Sequence, residues 1–161
     1  MDNTHLCLNL DFAPTFLDFA RATGAPEVTQ MQGQSLRAVL TGRTPAAWRQ
    51  AIYYRYWMHL AHHHIPGHYG IRTERFKLAF FHGLPLDANS GKGPFPPSTP
   101  GWELYDLQTD PHETNNVYRS AQYAPIIRQL KSQLLQLKRD IGDEDERYPE
   151  LMKLRKIHRD N

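Results

Sequence analysis

The sequence has a single cysteine, Cys7, so it holds no internal disulfide and no paired thiols for a CxxC redox or zinc motif. It also lacks an apolar run of the roughly 20 residues that a membrane-spanning helix needs. Net charge is small, because 19 Lys and Arg residues against 17 Asp and Glu residues give +2. A balance of this kind excludes the global positive field that drives nucleic-acid binding. We therefore expect no nucleic-acid partner and no membrane span.

The first ten residues lack the basic start and the apolar stretch of a secretory signal peptide, so none is expected, and the compartment stays open. The chain has enough apolar residues to form one hydrophobic core. Its 161 residues are 40% hydrophobic and 11% aromatic, which suits one domain-sized folded unit. Nine histidines make its charge, and its affinity for ligands, more dependent on pH than usual.

The middle of the chain predicts an antiparallel sheet. Residues 51–57 are rich in aromatic and β-branched side chains, which favour a strand. Residues 69–73 and 76–81 predict a hairpin, and 102–107 a fourth strand. In the hairpin, alternate residues fall on one face: Phe76, Leu78 and Phe80. The Pro- and Gly-rich segment 83–101 predicts a long loop, of a length that usually has a function or a surface to lie on.

The N-terminal part predicts two short helices. Pro14 suits the first turn of a helix that ends at Gly24, and Ser35 is the expected N-cap of a helix over 35–40, followed by a turn at 44–45. The first helix should present Phe16, Leu17 and Ala20 on one face. We also expect this N-terminal segment to expose apolar side chains, among them Phe12, Phe16 and Leu17.

The C-terminal part predicts a capped turn, a long helix and a tail. Asp110 is the expected cap of the turn, with the Glu113 side chain reaching back to it. A stripe with steps of three and four predicts an amphipathic helix ending at Gly142: Ile127, Leu130, Leu134, Leu137 and Ile141. Charged residues should line its solvent side: Arg128, Lys131, Lys138 and Arg139. Pro125 places the helix start near Ala124 or else marks a kink. Residues 143–161 predict a charged tail with few anchors: Tyr148, Pro149, Leu151 and Leu154.

The segment 59–68 contains five histidines and is the main candidate for chemistry. Three interpretations remain open: a solvated polar loop, a metal site, and a site where one or two imidazoles meet an anionic ligand. Metal binding is only weakly indicated, because metal sites require ligands at defined spacing, usually with a cysteine or carboxylate nearby. Arg72 and Lys77 either add positive charge beside the loop or are solvent-facing strand residues. No GxSxG, HExxH or phosphate-loop motif is present, so no catalytic residue is predicted.

Four segments, in order, resemble the C-terminal portion of type I sulfatases, the group that contains N-sulfoglucosamine sulfohydrolase. They are NLDFAPTFL at 9–17, MQGQSL at 31–36, HYGIRTERFKL at 68–78, and WELYDL at 102–107 with DPHETNN at 110–116. The resemblance implies an α+β fold: a small antiparallel sheet of about four strands, packed by a long C-terminal helix, with an N-terminal helical segment. It divides the chain into an edge of the catalytic domain (1–44), a C-terminal subdomain (45–142) and a charged tail (143–161).

In this family the formylglycine nucleophile, made from a C/S-x-P-x-R motif, and the carboxylates that hold Ca²⁺ belong to the N-terminal domain. Neither is expected here, and Cys7 is followed by Leu8 and not by that motif. The resemblance therefore implies no catalytic residue, no metal site and no activity for this chain alone. It assigns His63 and His68 to the approach of a sulfated sugar. Arg72 and Lys77 are possible supporting residues, whereas His62 and His64 are expected to face solvent or to be structural.

The function predicted from the sequence is therefore the C-terminal portion of a sulfatase that acts on sulfated carbohydrate or aryl sulfate. The alternative is a stand-alone binding module for an anionic carbohydrate or a protein. Expected partners are a sulfated carbohydrate, bound weakly, and either an N-terminal sulfatase domain or a second copy of the chain. An unrelated metal-binding protein is the third interpretation.

Overall fold

The computed structural model describes residues 5–22, 30–43, 45, 47–61, 63–86 and 95–158. The helix end predicted at Gly24, Thr44, His62 and the middle of the loop 83–101 lie outside these ranges. The chain divides into two compact units, Met1–Gln50 and Ala51–Asn161. Sheet and helices together confirm the predicted α+β class.

The first unit is organised around a buried carboxylate. A 3-10 turn at Asn9–Asp11 leads into helix α1 at Phe12–Phe19. The fully buried Asp11 carboxylate accepts the backbone N–H groups of Leu8 at 2.8 Å and Gln34 at 2.9 Å, and it pairs with the Arg49 guanidinium. Hydrogen bonds and the Arg49 charge lower the pKa of Asp11, although burial opposes them. This one side chain therefore joins three segments of the unit.

Helix α1 buries Pro14 and Thr15, and its aromatic side chains are exposed to solvent. Phe12 is 56% exposed and Phe16 is 70% exposed, as predicted, but Leu17 is half-buried and that expectation was wrong. Helix α2, Arg37–Leu40, begins two residues after the predicted Ser35 cap. The Ser35 Oγ still accepts the backbone N–H of Arg37, the first residue of α2, at 3.2 Å, while its hydroxyl donates to the Asp18 carboxylate at 2.6 Å.

The second unit contains the predicted sheet, in the order β1-β2-β3-β4 with every pair antiparallel. Its strands are β1, Ala51–Tyr56; β2, His68–Thr73; β3, Phe76–Phe81; and β4, Gly101–Asp106. The observed strands agree with the predicted ones to within one residue at each end. The alternation of apolar side chains explains the strands, and the tight turn at 74–75 explains why β2 and β3 pair as a hairpin.

The two faces of this sheet differ in chemistry. The inner face packs under helix α3, Ala124–Asp140, and its buried residues include Tyr69, Ile71, Leu78, Phe80 and Leu104. The opposite face, which we call the outer face, follows from the register. Strand by strand it carries Ile52, Tyr54 and Tyr56; His68, Gly70 and Arg72; Lys77, Ala79 and Phe81; and Gly101, Glu103 and Tyr105. Three of the four site residues predicted from the sequence therefore share one face.

Helix α3 follows a 3-10 turn at Ala121–Tyr123, so Pro125 lies in the first turn and no kink is needed. Its apolar stripe is buried at Ile127, Leu130 and Leu134. The placement of Lys138 on the solvent side was wrong, because it is buried against the Asp145 carboxylate.

The predicted capped turn has different partners from those expected. The Asp110 carboxylate accepts the Thr114 hydroxyl at 3.0 Å and the Asn115 N–H at 2.8 Å. Glu113 does not reach back to the cap, because its carboxylate forms an ion pair with Lys77 of the sheet.

Residues 143–158 are more ordered than a solvated tail. Helix α4 spans Pro149–Ile157 and buries Leu151 completely, while Tyr148 is buried just before it. The backbone carbonyl of His158 accepts the Trp102 indole N–H at 2.8 Å, which ties the end of α4 to β4. None of the described helices is both long enough and apolar enough to cross a membrane.

Candidate functional site

His68, the first residue of β2, lies in a row of aromatic rings on the outer face. Its imidazole stacks on Tyr56 of β1, with ring centroids 5.4 Å apart and planes at 24°. On the other side Phe81 of β3 lies 4.6 Å away at 34°, and Tyr54 meets His68 edge-on at 6.0 Å. We call Tyr56, His68 and Phe81 the aromatic row. The row crosses three strands because the register places these residues opposite one another.

The protonation state of His68 follows from one hydrogen bond. Its Nδ1 lies 2.8 Å from the carbonyl oxygen of Pro66, which only accepts, so Nδ1 is assigned the proton. Nε2 then accepts hydrogen bonds in the neutral ring and donates them in the cation. Burial lowers the pKa of His68, the Pro66 bond opposes this, and the Lys77 charge lowers the pKa further. His68 is therefore mostly neutral at pH 7 and takes up its proton only in acid.

His63 lies in the loop before β2 and is exposed, and among the described residues no hydrogen bond or ring contact joins it to His68. The neighbouring His64 is exposed as well, so burial does not distinguish the two. Leu60, His63 and His64 all have φ near +55°, a left-handed conformation that costs side-chain-bearing residues about 1–2 kcal/mol each. Strained loop residues of this kind persist where the surroundings fix the chain.

His59 fixes that loop, a role that no local sequence signal indicates. It is fully buried, and its Nδ1 accepts the backbone N–H of Gly67 at 3.0 Å. Its Nε2 lies 3.0 Å from the carbonyl oxygen of Pro96. One imidazole thus joins the start of the loop, its end and the segment before β4, and it holds the backbone that leads into His68.

Arg72 and Lys77 lie on the same face as His68 but further along it. Arg72 is four residues from His68, about 13 Å at the usual rise of a strand. The Glu113 carboxylate compensates both cations: it pairs with Lys77 and lies 4.0 Å from the Arg72 guanidinium. The structure therefore does not bring these cations to the histidine end of the strand.

The described residues do not fit a metal centre or a formylglycine site. No three His, Cys, Asp or Glu side chains converge within the described ranges. Cys7 is exposed, its Sγ donates to the carbonyl oxygen of His5 at 3.3 Å, and the residues after it do not form C-x-P-x-R. The histidine end of the outer face instead presents aromatic rings and one imidazole.

Comparison with known proteins identifies the family of the chain. The chain matches the family described as N-sulphoglucosamine sulphohydrolase, C-terminal, over residues 1–90 and 93–140. It is 40% identical over 142 residues to the N-acetylglucosamine-6-O-sulfatase of Bacteroides thetaiotaomicron, covering 87% of this chain and 22% of that protein.

Two solved structures show the same fold. One, described as a complex with its substrate D-glucosamine-2-N,6-O-disulfate, is 39% identical with a TM-score of 0.67, over 84% of this chain and 24% of that one. The phosphonate monoester hydrolase of Agrobacterium radiobacter is 25% identical with a TM-score of 0.53, over 81% of this chain and 24% of that one. The chain spans less than a quarter of the length of each of these relatives.

Proposed function

Since the chain belongs to the family of N-sulphoglucosamine sulphohydrolase C-terminal regions, we propose that it is the C-terminal part of a sulfatase acting on a sulfated glucosamine-type sugar. The observation that carries this proposal is the 40% identity, across 87% of the chain, with an N-acetylglucosamine-6-O-sulfatase. The relative whose structure contains D-glucosamine-2-N,6-O-disulfate supports the same class of sugar.

In this proposal the chain recognises substrate and leaves the chemistry to the rest of the enzyme. Sulfuryl transfer needs an activated nucleophile in line with the bond that breaks, and a cation that stabilises the sulfuryl oxygens. This chain has neither the C/S-x-P-x-R motif nor a converging ligand set among its described residues. His68 contributes Nε2 to a sugar hydroxyl or sulfate oxygen, and His63 adds a second contact from the loop. Arg72 and Lys77 lie further along the same face and act on the ligand only at longer range.

A chimera tests this function. We expect an enzyme in which this chain replaces the matching C-terminal region of the Bacteroides relative to hydrolyse 6-O-sulfated N-acetylglucosamine. In the chimera, His68→Ala should lower kcat/KM about tenfold, the loss expected for one hydrogen bond to a charged or polar substrate group. The exposed His64→Ala is the matched control and should leave kcat/KM within about twofold.

The chain alone should show no turnover above a no-protein control, with or without Ca²⁺. Turnover that survives Cys7→Ala and is lost in His63→Ala contradicts the proposal, because a complete site would then lie in these residues. A folded but inactive chimera contradicts it as well. Sugar binding by the isolated chain beside an inactive chimera favours the stand-alone binding module.

The histidines also predict how binding depends on pH. We expect a sulfated glucosamine oligosaccharide to bind the isolated chain weakly, and more tightly near pH 5.5 than near pH 8. The reason is that protonated imidazole donates charge-assisted hydrogen bonds to sulfate oxygens. Because burial lowers the pKa of His68, its part of the gain should appear below pH 6.5. A chemical-shift titration at about 0.15 M salt, which screens exposed charges beyond about 8 Å, should perturb His63 and His68 more than His64. Equal perturbation of all three rings, or no binding, would falsify this assignment.

A further inference from the structure

The aromatic row ends beside an open space that a glycine creates. Gly101 is the first residue of β4 and lies directly opposite Phe81, the last ring of the row. Apart from its two chain neighbours, a Cβ placed on Gly101 would meet no atom of the described residues within 4 Å. The ring of Phe81 is covered by His68 on the β2 side, but no side chain stands opposite it on β4. Glycine inside a strand often marks a place where a ligand approaches closely.

The surroundings of this space select among ligands. β4 is the last strand of the sheet, and residues 116–117 hydrogen-bond to Trp102 and Leu104 along its free side. The space at Gly101 therefore opens outwards from the face of the sheet. The next residue of β4 on the same face is Glu103, whose Oε2 accepts the Tyr105 hydroxyl at 2.8 Å. Within the described part of the chain nothing hydrogen-bonds to its other carboxylate oxygen, which is therefore available for a hydroxyl donor. A carboxylate beside an aromatic ring suits an uncharged polyhydroxylated ring and repels a sulfate group.

We propose that the space bounded by Phe81, Gly101 and Glu103 binds an unsulfated hexosamine ring, the neighbour of the sulfated sugar in a longer substrate. The ring stacks its C–H face on Phe81, occupies the position left empty at Gly101, and donates a hydroxyl to Glu103. This proposal deepens the proposed function and rests on it for the class of sugar. It adds a specificity: the chain distinguishes an oligosaccharide from a monosaccharide, and it prefers no sulfate at this position.

Filling the space is a direct test, because the backbone at Gly101 is not in the left-handed region and its Cβ position is open. We expect N,N′-diacetylchitobiose to bind the full chain weakly and to shift the Gly101 amide and the Phe81 ring protons. Gly101→Val should weaken this binding at least about fivefold because it fills the space, and Phe81→Leu should do the same because it removes the stacking surface. Gly101→Val should not lower the melting temperature appreciably, whereas Phe81→Leu should lower it slightly because its ring contact with His68 is lost.

Two further variants sharpen the test. Gln108→Leu, in the exposed turn that follows the opposite end of β4, adds a comparable apolar side chain and should leave the affinity unchanged. Glu103→Gln removes the charge but keeps the shape of the side chain. It should therefore reduce the ratio of the affinity for N,N′-diacetylchitobiose to the affinity for its 6-O-sulfated form.

Unchanged affinity in Gly101→Val, or absence of binding by the unaltered chain, overturns the proposal. So does self-association that Gly101→Val abolishes, because the space then holds a second copy of the chain. The outcomes separate from those of the proposed function: an active chimera with no chitobiose binding by the chain refutes this inference alone, whereas binding beside an inactive chimera refutes only the sulfatase role.

Discussion

Asp145→Asn is expected to lower the free energy of unfolding by about 3–5 kcal/mol, the cost typical of breaking a buried ion pair on one side. Asp145 is completely buried, and three cations converge on its carboxylate. Lys138 of α3 bonds both oxygens at 2.9 Å, while Arg55 of β1 and Arg155 of α4 each bond one oxygen at 2.9 Å. One carboxylate therefore joins the sheet to both C-terminal helices.

The size of the effect follows from the burial of the cations. The side chains of Lys138 and Arg55 are 2% and 3% exposed, so neither regains water when its partner is lost. Burial already lowers the pKa of Lys138, and Asp145 is the main opposing influence. Without the carboxylate, Lys138 loses its proton or remains charged and unpaired. Arg55 retains Asp143, at 2.9 Å, but its Nε and Nη2 are buried without a hydrogen-bond partner among the described residues.

Urea unfolding at pH 7 measures the change, with Asp140→Asn as the matched control. Asp140 lies at the exposed end of α3, where its carboxylate accepts the Gln136 amide at 2.6 Å and no other donor of the described residues, so its replacement should cost less than about 0.5 kcal/mol. Arg155→Gln removes the most exposed of the three cations and should cost about 1 kcal/mol. A loss below about 1 kcal/mol in Asp145→Asn would show that water reaches the cluster and that the three contacts contribute little.

This cluster also shows where prediction from the sequence fails. The strands and α3 were predictable because apolar residues repeat at steps of two or of three and four, which are properties of the local chain. The same periodicity placed Lys138 with the solvent-facing cations. Its partner lies seven residues later, in a different segment, and the second cation comes from β1. Burial of a charge depends on long-range pairing, which leaves no periodic signal.

The candidate site likewise combines residues that the sequence predicts with contacts that depend on long-range pairing. His68 was predictable as a residue held at the start of a strand, and Arg72 falls on its face because it lies four residues further along the same strand. Lys77 shares that face through the register between β2 and β3. The ring partners of His68 depend on the register between strands, and the compensation of Lys77 by Glu113 depends on a turn 36 residues away. The sequence predicts Gly101 as the end of the Pro- and Gly-rich loop, and glycine is depleted in strands. The residue that opens the space beside Phe81 therefore carried a sequence signal pointing away from the sheet.

Lowering the pH from 7 to 4 is expected to destabilise the second unit by about 3 kcal/mol through His82 alone. This side chain follows β3 and is 1% exposed. Its Nδ1 accepts the Leu84 N–H at 3.1 Å, so the proton is assigned to Nε2, which is buried without a hydrogen-bond partner among the described residues. Burial lowers the pKa of His82 to about 3. The charges of Arg55, His59 and His68 make smaller contributions to this lowered pKa, and Asp145 opposes them.

The sign follows from comparing the two states. In the unfolded chain His82 takes up a proton below its ordinary pKa of 6.5, whereas in the folded chain it stays neutral until about pH 3. Stability from His82 is therefore complete above pH 6.5 and falls by about 1.4 kcal/mol for each pH unit below it. His68, whose pKa is also lowered, acts in the same direction. Asp11, Asp106 and Asp143 have lowered pKa values, so their contributions are lost only at still lower pH, below 3.8.

His82→Asn isolates this effect, because the Asn side-chain oxygen can take the place of Nδ1 and accept the Leu84 N–H while the side chain no longer titrates. Urea unfolding at pH 7, 5.5 and 4.5 should show a steep loss of stability in the unaltered chain and a clearly shallower one in His82→Asn. The exposed His64→Asn is the control and should follow the unaltered chain. If the free energy of unfolding falls equally with pH in all three proteins, His82 gains its proton without unfolding the unit. Its burial is then not the source of the acid sensitivity.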